Sequence, residues 1–275
     1  MRGCWYNGCA ITWTGQSGPE LSGIKLTHQE VFAKQEDYVF FQNIRNRRIF
    51  CHLSEPLEST EKLVIMCHGF KGDSTGPARG FVSFSRLLAQ HGYSVLRFDQ
   101  PNCGNSDGPF LDVSFNEWVD TIVALVGKYT EAGYRISLLG ESMGASAAIV
   151  ATSEDRIHGR VSALLLWSPD PVRSFNGDPA TVYEERGRKY RGRFWHEAKE
   201  ADITGSLQKF EGGVHLVHGK HDNVVGRDMR DLVEVVREIG GTILTLDGEG
   251  HSNWHEDTAL MVFVQETEKL EVWMS

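Results

Sequence analysis

A serine with a glycine two residues to either side constrains the fold of this chain more than any other feature. It stands in Gly140-Glu141-Ser142-Met143-Gly144, between the apolar run 135–139 and the small-residue run 145–150. A strand that turns sharply into a helix leaves no space for a Cβ two residues before or after its tip, so glycines are needed there. The sequence therefore predicts a strand, a tight turn with Ser142 at its tip, and a helix whose N-terminal amides point at the serine.

Apolar runs of strand length alternate with helical segments along most of the chain. The expected strands cover 63–67, 93–98, 135–139, 161–167, 214–218 and 242–246, and the expected helices cover 81–91, 114–131, 142–153, 227–239 and 257–271. An antiparallel hairpin is expected before them, at 38–53. This order predicts an α/β protein with a doubly wound, mostly parallel sheet that is buried on both faces.

Two further residue types that support serine chemistry follow expected strands. Asp222 and His251 each stand in a loop just after an apolar run. Because the carboxyl ends of parallel strands meet at one edge of a sheet, we expect both side chains near Ser142. Their order along the chain is the order expected for nucleophile, acid and base on such a sheet. Asp170, just after another strand, is the alternative acid.

Four motifs resemble those of the α/β-hydrolase superfamily, over roughly residues 38 to 275. They are His68-Gly69-Phe70 after a strand, Arg97-Phe98-Asp99 with Gly104-Asn105-Ser106-Asp107-Gly108, the serine turn, and His218-Gly219-Lys220-His221-Asp222 paired with Gly248-Glu249-Gly250-His251. Within the superfamily, the chain is similar to small-lidded carboxylesterases and cinnamoyl (feruloyl) esterases. The resemblance implies an α/β-hydrolase fold with an N-terminal antiparallel hairpin and a small lid inserted after the sixth strand.

The resemblance also implies roles for individual residues. Ser142 is the expected nucleophile, His251 the general base and Asp222 the acid that orients it. The backbone amides of Phe70 and Met143 are the expected oxyanion donors. The expected substrate-binding residues lie in the oxyanion loop, in the lid and just after the base: His68, Phe175, Trp195 and Trp254. His68 also has a structural interpretation, as a support of the oxyanion loop.

The chain departs from the family at two places. Asn102 and Cys103 stand where the family often has Gly and His, and Asn suits this turn because it tolerates a left-handed backbone. Met143 follows the expected nucleophile where cinnamoyl esterases commonly carry a polar residue. Met143 supplies an amide there, but no polar side chain toward a phenolic ring.

The stretch from Asp170 to about Ser206 breaks the alternation of strands and helices. It is rich in turn residues and is expected to lie above the strand ends as a lid, about 170–206. Five basic residues crowd into eight positions of this stretch: Arg186, Arg188, Lys189, Arg191 and Arg193. They indicate either a solvated face or a patch that receives a carboxylate or phosphate of the substrate.

The overall charge limits the expected partners. The formal net charge of −9 and the isoelectric point near 5.7 disfavour nucleic acid and anionic membranes. No apolar run approaches about 18 residues, so membrane insertion is not expected. A small-molecule ester remains as the expected partner. The sequence does not decide whether the protein forms a homo-oligomer. No nucleotide cofactor is expected, because the sequence lacks phosphate-binding glycine motifs. No metal is expected either, because His215 and His218 point to opposite faces of a strand and cannot bind one ion together.

The remaining signals concern location and domain limits. Five cysteines without framework spacing are expected to be reduced thiols, typical of a cytoplasmic protein. Residues 1–27 are expected to be an N-terminal appendage, flexible or leader-derived, ahead of a hydrolase domain at 28–275.

Three function classes follow from these residues. The first is a serine esterase that cleaves short-acyl or aryl carboxylic esters through an acyl-enzyme intermediate. The second is a thioesterase or acyltransferase with the same triad, since only the leaving group or the acceptor changes. The third is a non-catalytic binding protein on the same fold.

Overall fold

A computed structural model describes residues 35–172, 175–225 and 229–275, and the backbone of three short strands before them. Those strands, β1 (Cys4–Tyr6), β2 (Cys9–Thr14) and β3 (Ser17–Leu21), form an antiparallel sheet of their own. The other residues of the expected appendage lie outside the described ones. The expected domain limits stay a prediction.

Outside the expected lid segment, the remaining strands and helices follow the order that the sequence predicts. The strands are β4 (Gln35–Ile44), β5 (Arg47–Pro56), β6 (Lys62–Cys67), β7 (Ser94–Phe98), β8 (Arg135–Glu141), β9 (Val161–Trp167), β10 (Val182–Glu185), β11 (Arg188–Arg191), β12 (Gly213–Gly219) and β13 (Thr242–Leu246). The helices are α1 (Gly80–Gln90), α2 (Phe115–Glu131), α3 (Met143–Thr152), α4 (Arg193–Glu200), α5 (Ile203–Gln208), α6 (Met229–Glu238) and α7 (Glu256–Trp273). Positions 227 and 228 of the helix expected from 227 lie outside the described residues.

Among the described residues, eight strands form one mixed sheet in the order β13-β12-β9-β8-β6-β7-β5-β4. The hairpin β4–β5 is antiparallel, and β5 joins the sheet antiparallel to β7. The pairs from β7 to β13 are parallel. The expected α/β-hydrolase class, with its N-terminal antiparallel hairpin, is therefore confirmed.

Helices cover both faces of this sheet, which explains the continuous apolar runs of its central strands. Side chains of β6 alternate between two cores: Leu63 and Ile65 belong to one, and Val64 and Met66 to the other. The first core includes α2, α3, α5 and α6, whereas the second includes α1 and α7. A strand buried on both faces has no polar side to alternate with its apolar one.

The turn after β7 keeps its shape without the family's usual Gly. Asn102 adopts the expected left-handed conformation, with φ 66°. The carboxylate of Asp99 accepts backbone N–H bonds from Ser74 and Asn105, each of 2.7 Å. Asp99 therefore has the backbone-bonding role that is ordinary for an aspartate at a turn.

The expected lid segment contains regular structure that the sequence pattern did not indicate. Strands β10 and β11 form a two-stranded hairpin, and α4 follows it. The Tyr190 ring on β11 lies edge-on to the Phe70 ring with centroids 4.9 Å apart. This contact places the hairpin over the loop that leaves the carboxyl end of β6.

Three described cysteines, Cys51, Cys67 and Cys103, are buried and form no disulfide. Burial raises the pKa of the Cys51 thiol to about 12, so this thiol stays protonated at neutral pH. The side chains of Cys4 and Cys9 lie outside the described residues. No helix in the described ranges is long and apolar enough to cross a bilayer.

Candidate active site

The serine turn has the strained geometry that the glycine spacing predicts. Ser142 sits between β8 and α3 with φ 52° and ψ −124°, a conformation that costs free energy for a residue with a Cβ. A Cβ at Gly140 would lie 2.3 Å from the Cα of Ala145, and one at Gly144 would lie 2.1 Å from the carbonyl oxygen of Cys67. Only glycine fits at either position, so the turn can close tightly against α3 and the end of β6.

The structure brings Asp222 and His251 to this serine. They follow the neighbouring parallel strands β12 and β13, whose carboxyl ends lie side by side. The Nδ1 atom of His251 is 2.8 Å from Oδ2 of Asp222, and its Nε2 atom is 2.9 Å from Oγ of Ser142. Because the carboxylate only accepts, Nδ1 carries the proton and Nε2 accepts from the serine hydroxyl. The arrangement is that of a serine nucleophile beside its base.

His251 and Asp222, the two titratable residues of this hydrogen-bonded group, have shifted pKa values. Burial disfavours the charged imidazole of His251, but the hydrogen bond and the charge of Asp222 outweigh burial and raise its pKa above the usual value. Burial also works against the Asp222 carboxylate, yet its hydrogen bonds and the charge of His251 lower its pKa. Asp222 is therefore ionised at neutral pH and stabilises a positive charge on the imidazole.

Backbone hydrogen bonds fix the positions of the loops that carry Asp222 and His251. The second carboxylate oxygen of Asp222 accepts the amides of Val224 (2.9 Å) and Val225 (3.1 Å). The amide of His221 donates to the carbonyl oxygen of Glu249 at 2.9 Å, which joins the Asp222 loop to the His251 loop. The orientation of Asp222 toward the imidazole is thus determined by backbone geometry.

The alternative acid, Asp170, has a different environment. Its Oδ1 atom accepts the amide of Val172 at 2.8 Å, and its carbonyl oxygen accepts from the hydroxyl of Ser146 at 2.5 Å. The charge of Asp170 adds to the rise in the pKa of the His251 imidazole. The hydrogen-bond geometry favours Asp222 as the acid.

The amides of Phe70 and Met143, the expected oxyanion donors, stand on two segments in close contact. A Cβ at Gly144 would lie 2.4 Å from the carbonyl oxygen of His68, and one at Gly69 would lie 3.0 Å from Cβ of Ser142. Neither amide donates a hydrogen bond to another described residue. Both are thus available to an oxyanion formed at the serine.

Glu141 is a residue of the site that sequence reasoning missed. Its carboxylate accepts the amide of Gly69 at 2.8 Å and the hydroxyl of Ser252. Gly69 belongs to the loop of the expected oxyanion donor Phe70, and Ser252 follows His251. Glu141, only 8% exposed, therefore connects the two loops from beneath Ser142. The signal in the sequence is an acidic residue at the end of an otherwise apolar strand.

His68 supports the oxyanion loop through both ring nitrogens. Its Nδ1 is 2.8 Å from the carbonyl oxygen of Gly69, and its Nε2 accepts the amide of Gln100 at 2.9 Å. Burial lowers its pKa, so the ring is neutral. The ring also lines a cavity of about 400 Å³ beside the serine turn. Its polar atoms are thus committed to the backbone.

Aromatic side chains of the lid and the oxyanion loop pack together. The Phe70 ring lies 4.7 Å from Phe194 and 4.8 Å from Trp195, centroid to centroid. Phe175 joins this cluster, 6.4 Å from Trp195. Trp254 lies apart from them, 6% exposed in the core of α1 and α7. The structure therefore brings Trp195 to the oxyanion loop and places Phe175 behind it, against Trp195, whereas Trp254 lies elsewhere.

Histidines outside this site have separate partners. His215 is buried with its Nδ1 atom 3.5 Å from the Glu266 carboxylate, and His218 is 2.9 Å from the hydroxyl of Thr245. Within the ranges that the structure describes, no three His, Cys, Asp or Glu side chains are placed to hold a metal ion.

Known proteins share this architecture. Est1E from Butyrivibrio proteoclasticus, solved with ferulic acid bound, superposes with a TM-score of 0.74 at 23% identity, covering 86% of this chain and 99% of Est1E. Alpha/beta hydrolase domain-containing protein 10 from mouse superposes with a TM-score of 0.70 at 17% identity, over 86% of this chain and 100% of the mouse chain. These likenesses show the fold.

A curated relative matches part of the chain. The monoglyceride lipase homolog of Monkeypox virus is 28% identical over 130 residues, which are 46% of this chain and 45% of the viral protein. The model of the alpha/beta hydrolase family matches residues 64–204, which include the serine turn and the oxyanion loop. The chain belongs to the alpha/beta hydrolase family.

Proposed function

We propose that this protein is a serine esterase that hydrolyses short-acyl or aryl carboxylic esters through an acyl-enzyme intermediate. The observation that carries the proposal is the continuous hydrogen-bonded chain from Ser142 through His251 to Asp222, with distances of 2.9 and 2.8 Å. A serine hydroxyl is a weak nucleophile unless a base accepts its proton as it attacks. In this hydrogen-bonded chain His251 is that base, and its Nε2 atom is free of a proton and can accept one from Ser142.

Each group has a defined task in the reaction. Ser142 Oγ attacks the ester carbonyl while Nε2 of His251 takes its proton, and the imidazolium then protonates the departing alkoxide. The amides of Phe70 and Met143 stabilise the oxyanion, each by on the order of 3 kcal/mol in the transition state. A water molecule, deprotonated by His251, then cleaves the acyl-enzyme and returns the serine.

The aromatic cluster supports the substrate class. Phe70, Phe175 and Trp195 give an apolar surface beside the oxyanion loop, suited to a short acyl chain or an aromatic ring. Two similar proteins agree with an ester substrate: Est1E, which was solved with ferulic acid bound, and the viral monoglyceride lipase homolog. Apolar surfaces discriminate one methylene by only about 1 to 3 kcal/mol, so we expect a broad range of acyl groups.

A thioesterase or acyltransferase remains the second candidate, because the basic residues of the lid suit an acyl donor with a phosphate-bearing leaving group. A thioesterase would prefer an acyl-CoA to an oxygen ester of the same chain length.

A cytoplasmic location stays a prediction from the cysteine pattern, and the question of a homo-oligomer stays undecided.

The test is a panel of initial rates from p-nitrophenyl acetate to laurate, with methyl ferulate and butyryl-CoA. Ser142→Ala is measured beside the wild type, and Ser59→Ala, on an exposed loop, is the matched control. We expect Ser142→Ala to lower kcat by several orders of magnitude and the control to be unchanged. More than about a tenth of wild-type activity in folded Ser142→Ala protein would refute the nucleophile assignment.

A further inference from the structure

The five basic residues of the lid do not share one environment. Three of them have acidic partners: Lys189 lies 3.8 Å from Glu184, Arg191 3.2 Å from Asp112, and Arg193 3.3 Å from Glu197. Arg186 and Arg188 form no ion pair with any described residue. The structure thus separates two arginines without an acidic ion-pair partner from three basic residues that have one.

Those two arginines line the cavity of about 400 Å³ beside the serine turn. Its wall also includes Lys71, His68 and Phe70 of the oxyanion loop and Glu141, which precedes Ser142. Ser142 itself does not line the cavity, but Phe70 carries an expected oxyanion donor and Glu141 directly precedes the serine, so the cavity lies between the oxyanion loop and the tip of the lid hairpin.

The acidic groups of the cavity wall already accept hydrogen bonds. Asp73 accepts the amide and the hydroxyl of Thr75, and Glu141 accepts the amide of Gly69 and the hydroxyl of Ser252. The cavity consequently offers cationic donors to a ligand, while its carboxylates are already engaged in bonds to the protein.

Arg188 is held in place before any ligand arrives. One of its terminal nitrogens donates to the carbonyl oxygen of Lys71 at 3.0 Å, and its guanidinium lies 5.5 Å from the centre of the Phe110 ring. The remaining N–H groups of a guanidinium match a carboxylate or phosphate, which accept two parallel hydrogen bonds. A donor held in this way loses less side-chain entropy when it binds.

We propose that Arg186 and Arg188 form a subsite for an anionic group, a carboxylate or a phosphate, at the end of the substrate away from the reacting ester. The proposal rests on the proposed function, because it names the substrate class of the same site. Lys71 adds positive charge at the cavity wall but is already paired with Glu185. The preferred substrates are therefore monoesters of diacids or esters of phosphate-bearing alcohols.

The test compares matched neutral and anionic esters. The acyl-side pair is methyl hexanoate and monomethyl adipate, and the alcohol-side pair is butyl butyrate and 2-(butyryloxy)ethyl phosphate. We expect the Arg186→Gln/Arg188→Gln double variant to lower the anionic-to-neutral ratio of kcat/KM by about tenfold for at least one pair, mainly through KM. Lys189→Gln removes a positive charge from the same hairpin at a paired position and leaves the ratio within about twofold.

A binding measurement separates this proposal from the proposed function. Calorimetric titration of monomethyl adipate and of 2-(butyryloxy)ethyl phosphate into the Ser142→Ala protein needs no turnover, and both lysine and arginine variants are built on that background. Weaker binding in the double arginine variant alone supports the subsite even if no ester is hydrolysed. Equal binding of both anionic ligands to the two variants would overturn the subsite, even where Ser142-dependent hydrolysis upholds the esterase.

Discussion

Replacing Asp222 by Asn should abolish most of the activity by reversing the tautomer of His251. The two backbone amides of Val224 and Val225 donate to one oxygen of Asp222, so an Asn side chain places its carbonyl oxygen there. Its NH2 group then faces Nδ1 of His251, which must accept instead of donate. The proton moves to Nε2, and the serine loses its base. An Asp-to-Asn change of this kind in a serine protease costs about 10⁴ in kcat, which is about 5 kcal/mol of transition-state stabilisation.

The assay is kcat/KM for p-nitrophenyl butyrate as a function of pH. Turnover needs the unprotonated imidazole, so the wild-type rate rises as pH increases through the raised pKa of His251. Loss of the Asp222 charge and hydrogen bond moves this midpoint to lower pH. Asp170→Asn is the control, because it removes a nearby charge without the hydrogen bond, and we expect it to lower the rate by less than about tenfold. A folded Asp222→Asn protein with more than about a tenth of the wild-type rate would contradict the argument.

Three further changes test the surroundings of the site. Glu141→Gln removes the charged acceptor of the two hydrogen bonds that join the Gly69 and Ser252 loops, so the urea-derived free energy of unfolding should fall by about 1.5 to 3 kcal/mol; kcat/KM should also fall, by about 10- to 100-fold, because the loops lose their link, and an unchanged kcat/KM would show that the link is purely structural. Gly144→Ala places a Cβ 2.1 Å from the carbonyl oxygen of Cys67 and should lower the urea-derived free energy of unfolding by more than about 2 kcal/mol, whereas Gly127→Ala, in a helix interior with no atom within 4 Å, should raise it by about 0.5 to 1 kcal/mol. Phe194→Ala, at a fully buried ring, should cost about 3 to 5 kcal/mol in the same measurement, and a cost below about 1 kcal/mol would show that the lid core collapses around the cavity.

The sheet and its helices were predictable because their signals are local. Continuous apolar runs and the spacing of Gly140 and Gly144 around Ser142 follow from backbone geometry and burial, which act over a few residues. The expected chain order also led to Asp222 and His251, since strand ends in a parallel sheet meet at one edge.

The lid was not predictable at the same level. Strands β10 and β11 have four residues each and are mostly exposed, so a hairpin of this size is marginal alone and depends on tertiary packing. Tyr190, its buried residue, packs against the Phe70 ring, and such a contact leaves no periodic pattern.

Glu141 and Trp254 illustrate a related limit. The sequence shows that each adjoins an expected catalytic residue or its loop, but it does not show toward which side of the sheet the side chain points. Glu141 turns beneath the serine and joins two loops, whereas Trp254 packs on Trp167 with ring centroids 5.3 Å apart. The direction of a loop side chain depends on contacts that are distant in the sequence.

The separation of the three residues along the chain has a consequence for biosynthesis. Ser142 follows the central strand β8, but its expected base lies 109 positions later, after a strand at the edge of the sheet. At ribosomal rates of about 5 to 20 residues per second, the serine precedes the base by about 5 to 20 s. During this interval the nascent chain carries a serine that cannot be activated. On the proposed function, ester hydrolysis in a cell-free translation reaction should therefore begin only after β13 has docked on the sheet, and formation of the earlier strands and helices should give no signal.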